Sequence, residues 1–126
     1  MKGKKYWIRK NDDLAREINR IRAKNTCERC GKSGEAWQMH WAHIFGRETK
    51  SMRWDEDNAL LLCAQCHFWN HDYPTLYDEW LESKIGKARC KKLEQKYNLC
   101  KKMTLMDYVK INERLHKQLS LYKTLN

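Results

Sequence analysis

Two Cys-x2-Cys pairs, Cys27 with Cys30 and Cys63 with Cys66, constrain this 126-residue chain more than any other feature. Two such knuckles can bring four thiolates to one ion in tetrahedral geometry. The thirty-two residues between the pairs exceed the spacing of a single finger and leave room for a strand and a functional loop. The opening MKGKKYWIRKNDD lacks an apolar stretch and a small-residue cleavage site, so it does not read as a secretory signal. An intracellular location is therefore expected, the cysteines should stay reduced, and metal ligation outranks disulfides. A closed, sulfur-only site predicts a structural zinc that stabilises folding, not a catalytic one. No apolar run approaches a membrane span, so no membrane partner is expected.

Length supports one domain, residues 1–126, and charge divides it into three parts. Residues 1–25 hold nine Lys/Arg against three Asp/Glu, residues 26–83 five against ten, and residues 84–126 twelve against three. The net charge of +10 favours an anionic partner such as nucleic acid. The acidic centre holds both Cys pairs and four of the five histidines. Basic arms around a metal-rich centre suit a protein that grips phosphates at its edges, with Lys101, Lys102 and Lys110 among the expected contacts. Lysine-rich helices that are merely solvated are the plain alternative.

Periodicity predicts a helix over 11–24, with Asn11 as cap, Asp12 and Asp13 in its first turn, and Leu14, Ile18 and Ile21 on one face. Residues 37–44 read as a strand, 45–58 as a long functional loop, 59–62 as a second strand and 64–72 as a helix stopped near Pro74. Thr75 can cap a short helix ending near Gly86. Helices at about 87–99 and 104–124 follow, the latter with Thr104 and Asp107 as a capping box. Cys90 and Cys100 share a face with Leu93 and Tyr97 and read as packing residues; if one straight helix carries both, about 15 Å of rise separates them and they cannot pair. Tyr108, Ile111, Leu115, Leu119 and Tyr122 form a stripe for the core or for self-association. His116 reads as a surface histidine.

Hydrolysis of a phosphodiester needs a base for water and a cation for the phosphorane and the leaving oxygen. His67 and His71 are four apart on a helix and can share an ion; His40 and His43 lie on the first strand. Arg47 and Arg53 in the loop are placed either to clamp a phosphate or to pair with Asp55, Glu56 or Asp57. Trp37, Trp41, Trp54, Trp69 and Trp80 are expected mostly in the core, with stacking on a base as the role of any exposed one.

The run CERCGKSGEAWQMHWAHIFGRETKSMRWDEDNALLLCAQCHFWNH, with its CxxC, its strand ending in histidine, its RWDxDN loop and its LLCxxCH, resembles a zinc-containing, phage-associated HNH endonuclease over residues 27–83. The resemblance implies an α+β fold, a zinc-stapled ββα-metal core flanked by N- and C-terminal helices. It implies a DNA endonuclease leaving 5′-phosphate and 3′-hydroxyl ends, in the host cytoplasm if phage-encoded, acting with other phage DNA-processing proteins. His43 would be the general base, Asn58 would brace the loop, and His67 with His71 would ligate one catalytic divalent ion, Mg2+, Mn2+, Ni2+ or Zn2+. Many members carry an Asp or His ligand just before the base, where this chain has Ala42. His40 lies on Ala42's face of the strand and is the expected substitute; Ala42→Asp should then improve use of Mg2+. Neutral imidazoles are required, so activity should fall below about pH 6. The rival readings are a non-catalytic zinc module that binds nucleic acid and an assembly protein working through its last helix.

Overall fold

The computed structural model describes residues 2–35 and 38–125, so Trp37 lies outside the described residues. The fold is helix-rich with one small sheet: α1 (Lys4–Arg22), β1 (Met39–His43), α2 (Lys50–Arg53), β2 (Ala59–Cys63), α3 (Ala64–Asp72), α4 (Pro74–Ile85), α5 (Lys87–Asn98) and α6 (Leu105–Leu125). β1 and β2 pair antiparallel, with Met39 opposite Cys63, Trp41 opposite Leu61 and His43 opposite Ala59. Every residue of β2 is buried, because helices cover both faces of this two-stranded sheet. On one side Leu60, Leu62 and Ala42 join Tyr77 and Leu81 of α4; on the other, Trp41 joins the layer formed by α1 and α6.

The first helix starts earlier than the sequence suggested. Asn11 does not cap it but lies fully buried mid-helix, donating from Nδ2 to the Tyr108 carbonyl (3.1 Å) and accepting from Asn112 Nδ2 (3.0 Å). Asp12 likewise sits in the interior, not in a first turn. Both side chains find tertiary partners, and that outweighs their weak helix propensity. The expected face of Leu14, Ile18 and Ile21 does pack, together with Ala15, on Leu115 and Leu119 of α6. α1 closes with Lys24 N–H on Ile21 O (3.1 Å) and Asn25 N–H on Arg20 O (2.8 Å), both residues at positive φ.

The segment 45–58 is more regular than a loop, holding α2 and a 3-10 turn over Glu56–Asn58. Pro74, not Thr75, opens α4: at the first helical position its missing N–H costs nothing. Gly86, at φ 86°, allows the turn from α4 into α5. α5 ends at Asn98, so Cys100 is exposed outside it and is not the packing residue expected; Cys90 is half-buried. Thr104 and Asp107 cap α6 reciprocally: Thr104 N–H donates to Oδ2 (2.8 Å) and Asp107 N–H to the Thr104 hydroxyl (3.2 Å). The α6 stripe is core, packed along α1, and His116 is exposed. No described helix is long and apolar enough to cross a membrane.

Candidate functional site

The four paired cysteines converge. Their sulfurs all lie within 4.8 Å of one another, with Cys30 Sγ and Cys63 Sγ 3.7 Å apart. Four sulfurs about 2.3 Å from a tetrahedral zinc stand about 3.8 Å apart, so the cluster fits that ion. The first knuckle is folded by Cys27 N–H on Lys32 O (2.8 Å) and Gly31 N–H on Cys27 O (2.9 Å), with Gly31 at φ 79°. The second straddles the end of β2 and the first turn of α3. Glu28 ties the two together: its N–H donates to Leu61 O (2.8 Å), and its carboxylate accepts from Leu61 N–H (2.9 Å) and from Arg22.

The sulfurs differ in acidity. Burial raises the Cys27 thiol, but backbone N–H groups of Cys30, Cys63 and Arg29 outweigh it and bring it down to about 7. Burial pushes Cys66 up to about 12, and the other three sulfurs push the same way against the Arg29 guanidinium, 3.4 Å from its Sγ. An ion would be needed to hold all four as thiolates. Arg29 lies 3.5 Å from the centre of the Trp69 ring, so a cation flanks the sulfur cluster.

Of the four clustered histidines, His40 and His67 meet directly, Nδ1 to Nδ1, at 2.8 Å. His71 lies one turn on from His67, its ring 5.8 Å away, and is exposed. Two nitrogens each about 2.1 Å from one ion stand about 3.0 Å apart on adjacent octahedral positions and about 3.4 Å apart on a tetrahedral ion, so the His40/His67 pair suits the octahedral spacing. Among the described residues, however, only the four cysteines form a group of three or more metal-binding side chains at close range. Burial, with the charges of His40 and His71, lowers the pKa of His67.

His43 faces different neighbours. Its Nε2 lies 2.9 Å from the Arg53 carbonyl, which can only accept, so Nε2 carries the proton and Nδ1 the lone pair. Burial, reinforced by the Arg47 and Arg53 charges, takes its pKa to about 4. An acid limit near pH 6 therefore does not follow for this residue, because the site resists a second proton. The Trp41 ring packs 4.1 Å from that of His43, centre to centre.

Arg53 itself is held by Asp12, Nε on Oδ1 at 2.9 Å and Nη2 on Oδ2 at 2.6 Å, and Trp54 Nε1 donates to the same carboxylate (2.9 Å). The arginine's ion-pair partner is thus Asp12 of α1, not the acidic cluster beside it in sequence. Asp55 and Asp57 go instead to Lys96 (2.5 Å) and Lys92 (3.5 Å) of α5, and Glu56 accepts from the Tyr122 hydroxyl. With its fork filled, Arg53 has little left for a phosphate. Arg47, 3.6 Å from Asp12 and half-exposed, keeps a free face.

Asn58 is fully buried. Its Oδ1 accepts from Phe45 N–H (2.8 Å), and its Nδ2 donates to the Phe45 and Met52 carbonyls (3.0 Å each). One side chain thereby closes the segment between His43 and β2. Ala42 is also buried, at 2 % exposure within the layer beneath α3 and α4, so an aspartate there would enter the core, not a solvated metal site.

A cleft of about 610 Å³ opens on His40 and His67 and is lined by Trp41, Arg47, and Arg16 and Arg20 of α1. Arg16 and Arg47 lie 5.6 and 6.0 Å from the Trp41 ring centre. Asp13 and Glu17 also border it, but pair with Arg16 (3.5 Å) and Lys123 (3.4 Å). Sequence reading missed Asp12, Arg16 and Arg20. Their spacing of four along one helix was visible; what they faced was not. Trp54 is buried, while Trp41, Trp69 and Trp80 are half-buried.

The family model described as "Bacteriophage Lambda NinG protein" matches residues 1–124. No curated protein and no solved structure matches the chain.

Proposed function

The chain belongs to the NinG family, and we propose that it is a divalent-metal-dependent DNA endonuclease. In this reading β1, β2 and α3 form the ββα-metal unit of an HNH nuclease, with the four cysteines as its structural zinc staple. One observation carries the proposal: two imidazole nitrogens meet at 2.8 Å beside a cleft lined by three arginines. Such a cleft suits a phosphodiester held between guanidinium groups.

His40 and His67, with His71 one turn further along α3 as third donor, would hold a catalytic ion. Such an ion supplies Lewis-acid stabilisation of charge on the phosphoryl and leaving oxygens. Arg47, Arg16 and Arg20 bind and orient the phosphate. His43 accepts the proton of the attacking water at Nδ1, its only lone pair, while the Arg53 carbonyl fixes the ring through Nε2. Asn58 acts through the backbone it braces. The partners proposed are DNA and other phage DNA-processing proteins.

The test is cleavage of supercoiled plasmid, branched DNA and RNA by protein that keeps its tightly held zinc, with Mg2+, Mn2+, Ni2+ or Zn2+ added or withheld. Metal-dependent nicking is expected, slowed about 10²–10⁴-fold in His43→Ala with zinc content and folding retained. Equal cutting by His43→Ala would overturn the mechanism. Tight DNA binding with no cutting under any metal would leave a non-catalytic zinc module.

A further inference from the structure

The segment that follows Arg47 borders a second groove, of about 360 Å³. Four lysines line it from three separate stretches of chain: Lys4 at the start of α1, Lys50 of α2, and Lys101 and Lys102 between α5 and α6. Among the described residues none of the four forms a salt bridge, although Lys92, Lys96 and Lys123 do. Glu48 is the one carboxylate lining the groove. The nearby Asp107 is engaged by the N–H and hydroxyl of Thr104. Four ammonium groups brought to one groove from across the fold, against Glu48 in the lining and Asp107 near Lys101, leave a net positive potential for an anion to offset.

Two further features match that potential. Tyr97, 44 % exposed, lines the groove and stacks on Phe45 with ring centres 4.8 Å apart and planes 21° apart, a flat surface beside the lysines. Ser51, also in the lining, has a buried hydroxyl without a hydrogen-bond partner. Such a group costs stability unless something satisfies it, and a change of one rotamer could turn it to an anionic oxygen.

We infer that this groove is a second phosphate-backbone site, which holds the nucleic-acid strand flanking the one in the His40/His67 cleft. The inference rests on the nuclease reading for which polymer is bound. Arg47 and Lys50 are three residues apart on one segment, yet line different grooves, so that segment contributes a cation to each. A polyanion long enough to reach both grooves meets cations in each, whereas a small anion would fill one groove alone. Base identity is not read here, since lysines offer point charges and the aromatic pair offers only a face. Lys110, counted with the arms on sequence grounds, does not line the groove, while Lys101 and Lys102 do.

The experiment measures binding, not cutting. The His43→Ala protein, prepared without chelator so that its zinc is retained, is titrated with a fluorescent duplex of arbitrary sequence between about 50 and 200 mM salt. A variant adding Lys4→Ala, Lys50→Ala, Lys101→Ala and Lys102→Ala is compared with one adding Lys84→Ala, Lys87→Ala, Lys91→Ala and Lys117→Ala, which removes equal charge from exposed positions outside the groove. The groove variant is expected to show a salt slope shallower by about 3, from up to four lost phosphate contacts at about 0.9 each. The control should retain most of the parental slope. Unchanged slope in the groove variant, or an equal loss in both variants, would overturn the proposal. Loss of binding to polyglutamate with DNA binding intact would overturn it too, in favour of an acidic protein partner. A chain that binds DNA through these lysines but never cuts it would keep this site and lose the nuclease reading.

Discussion

At His43 the surroundings decide which proton chemistry is available. The Arg53 carbonyl selects the tautomer, and two guanidinium groups with burial keep the ring neutral to about pH 4. If His43 is the base, the acid limb of cleavage should not begin at its ordinary pKa, and a limb near pH 6 would report another group. Stability carries the same signature. The unfolded histidine takes up a proton near pH 6.5, the folded one only near 4, so the contribution is present above 6.5 and lost as pH falls toward 4. Melting temperature measured from pH 7 to pH 4 should therefore fall less steeply in His43→Ala than in the parent. Asp12 belongs at this scale as well, since by fixing Arg53 it fixes the carbonyl that His43 uses.

Among the elements, the knuckles and the strand pair depend on each other. The first knuckle reaches β2 through Glu28, and the second is continuous with β2 and α3. Cys63→Ser removes one thiolate from a position shared by staple, strand and helix cap. The expected result is loss of bound zinc by elemental analysis, together with loss of cooperative thermal unfolding. Folded parental protein without tightly held zinc would contradict the staple. Ala42→Asp gives the opposite of the gain that family likeness suggests. Opposite Leu60 in the core, the carboxylate should destabilise the domain by several kcal/mol and leave Mg2+ use no better, checked by denaturant titration and by nicking.

Over the whole molecule, the basic arms are scaffold as well as surface. α1 and α6, at opposite ends of the chain, pack together through Ile18, Leu115 and Leu119, with Trp54 and Tyr108 in the same layer. Arg114 of α6 donates to the Trp54 carbonyl (2.9 Å), and Arg89 of α5 to the Asp57 carbonyl (2.7 Å), so the terminal helices hold the segment that presents Arg47 and Lys50. Leu115→Ala, at a 1 % exposed site, should cost about 2–5 kcal/mol in denaturant unfolding. The proposed DNA binding should weaken with it only where the fold itself is lost. Independent unfolding of the helices, with the zinc core intact, would show that the three charge-defined parts are separate units.

The staple, the two strands, the third helix and the stripe of the last helix were legible in the sequence. Each is written in local sequence: two residues between cysteines, short apolar and aromatic runs for the strands, three and four along a helix. Helix 64–72 and the capping of α6 emerged where the spacing placed them. What local spacing cannot encode is which distant charge meets which. Arg53 has three acidic neighbours within four residues of sequence, yet pairs with Asp12, because folding buries that carboxylate and leaves it needing a cation. The same long-range packing turned Asn11 from a cap into a buried tie, closed Ala42 to solvent and gathered lysines from three stretches into one groove. A periodic pattern depends on a residue and its near neighbours, whereas an ion pair or a cleft depends on where the tertiary fold carries each of them.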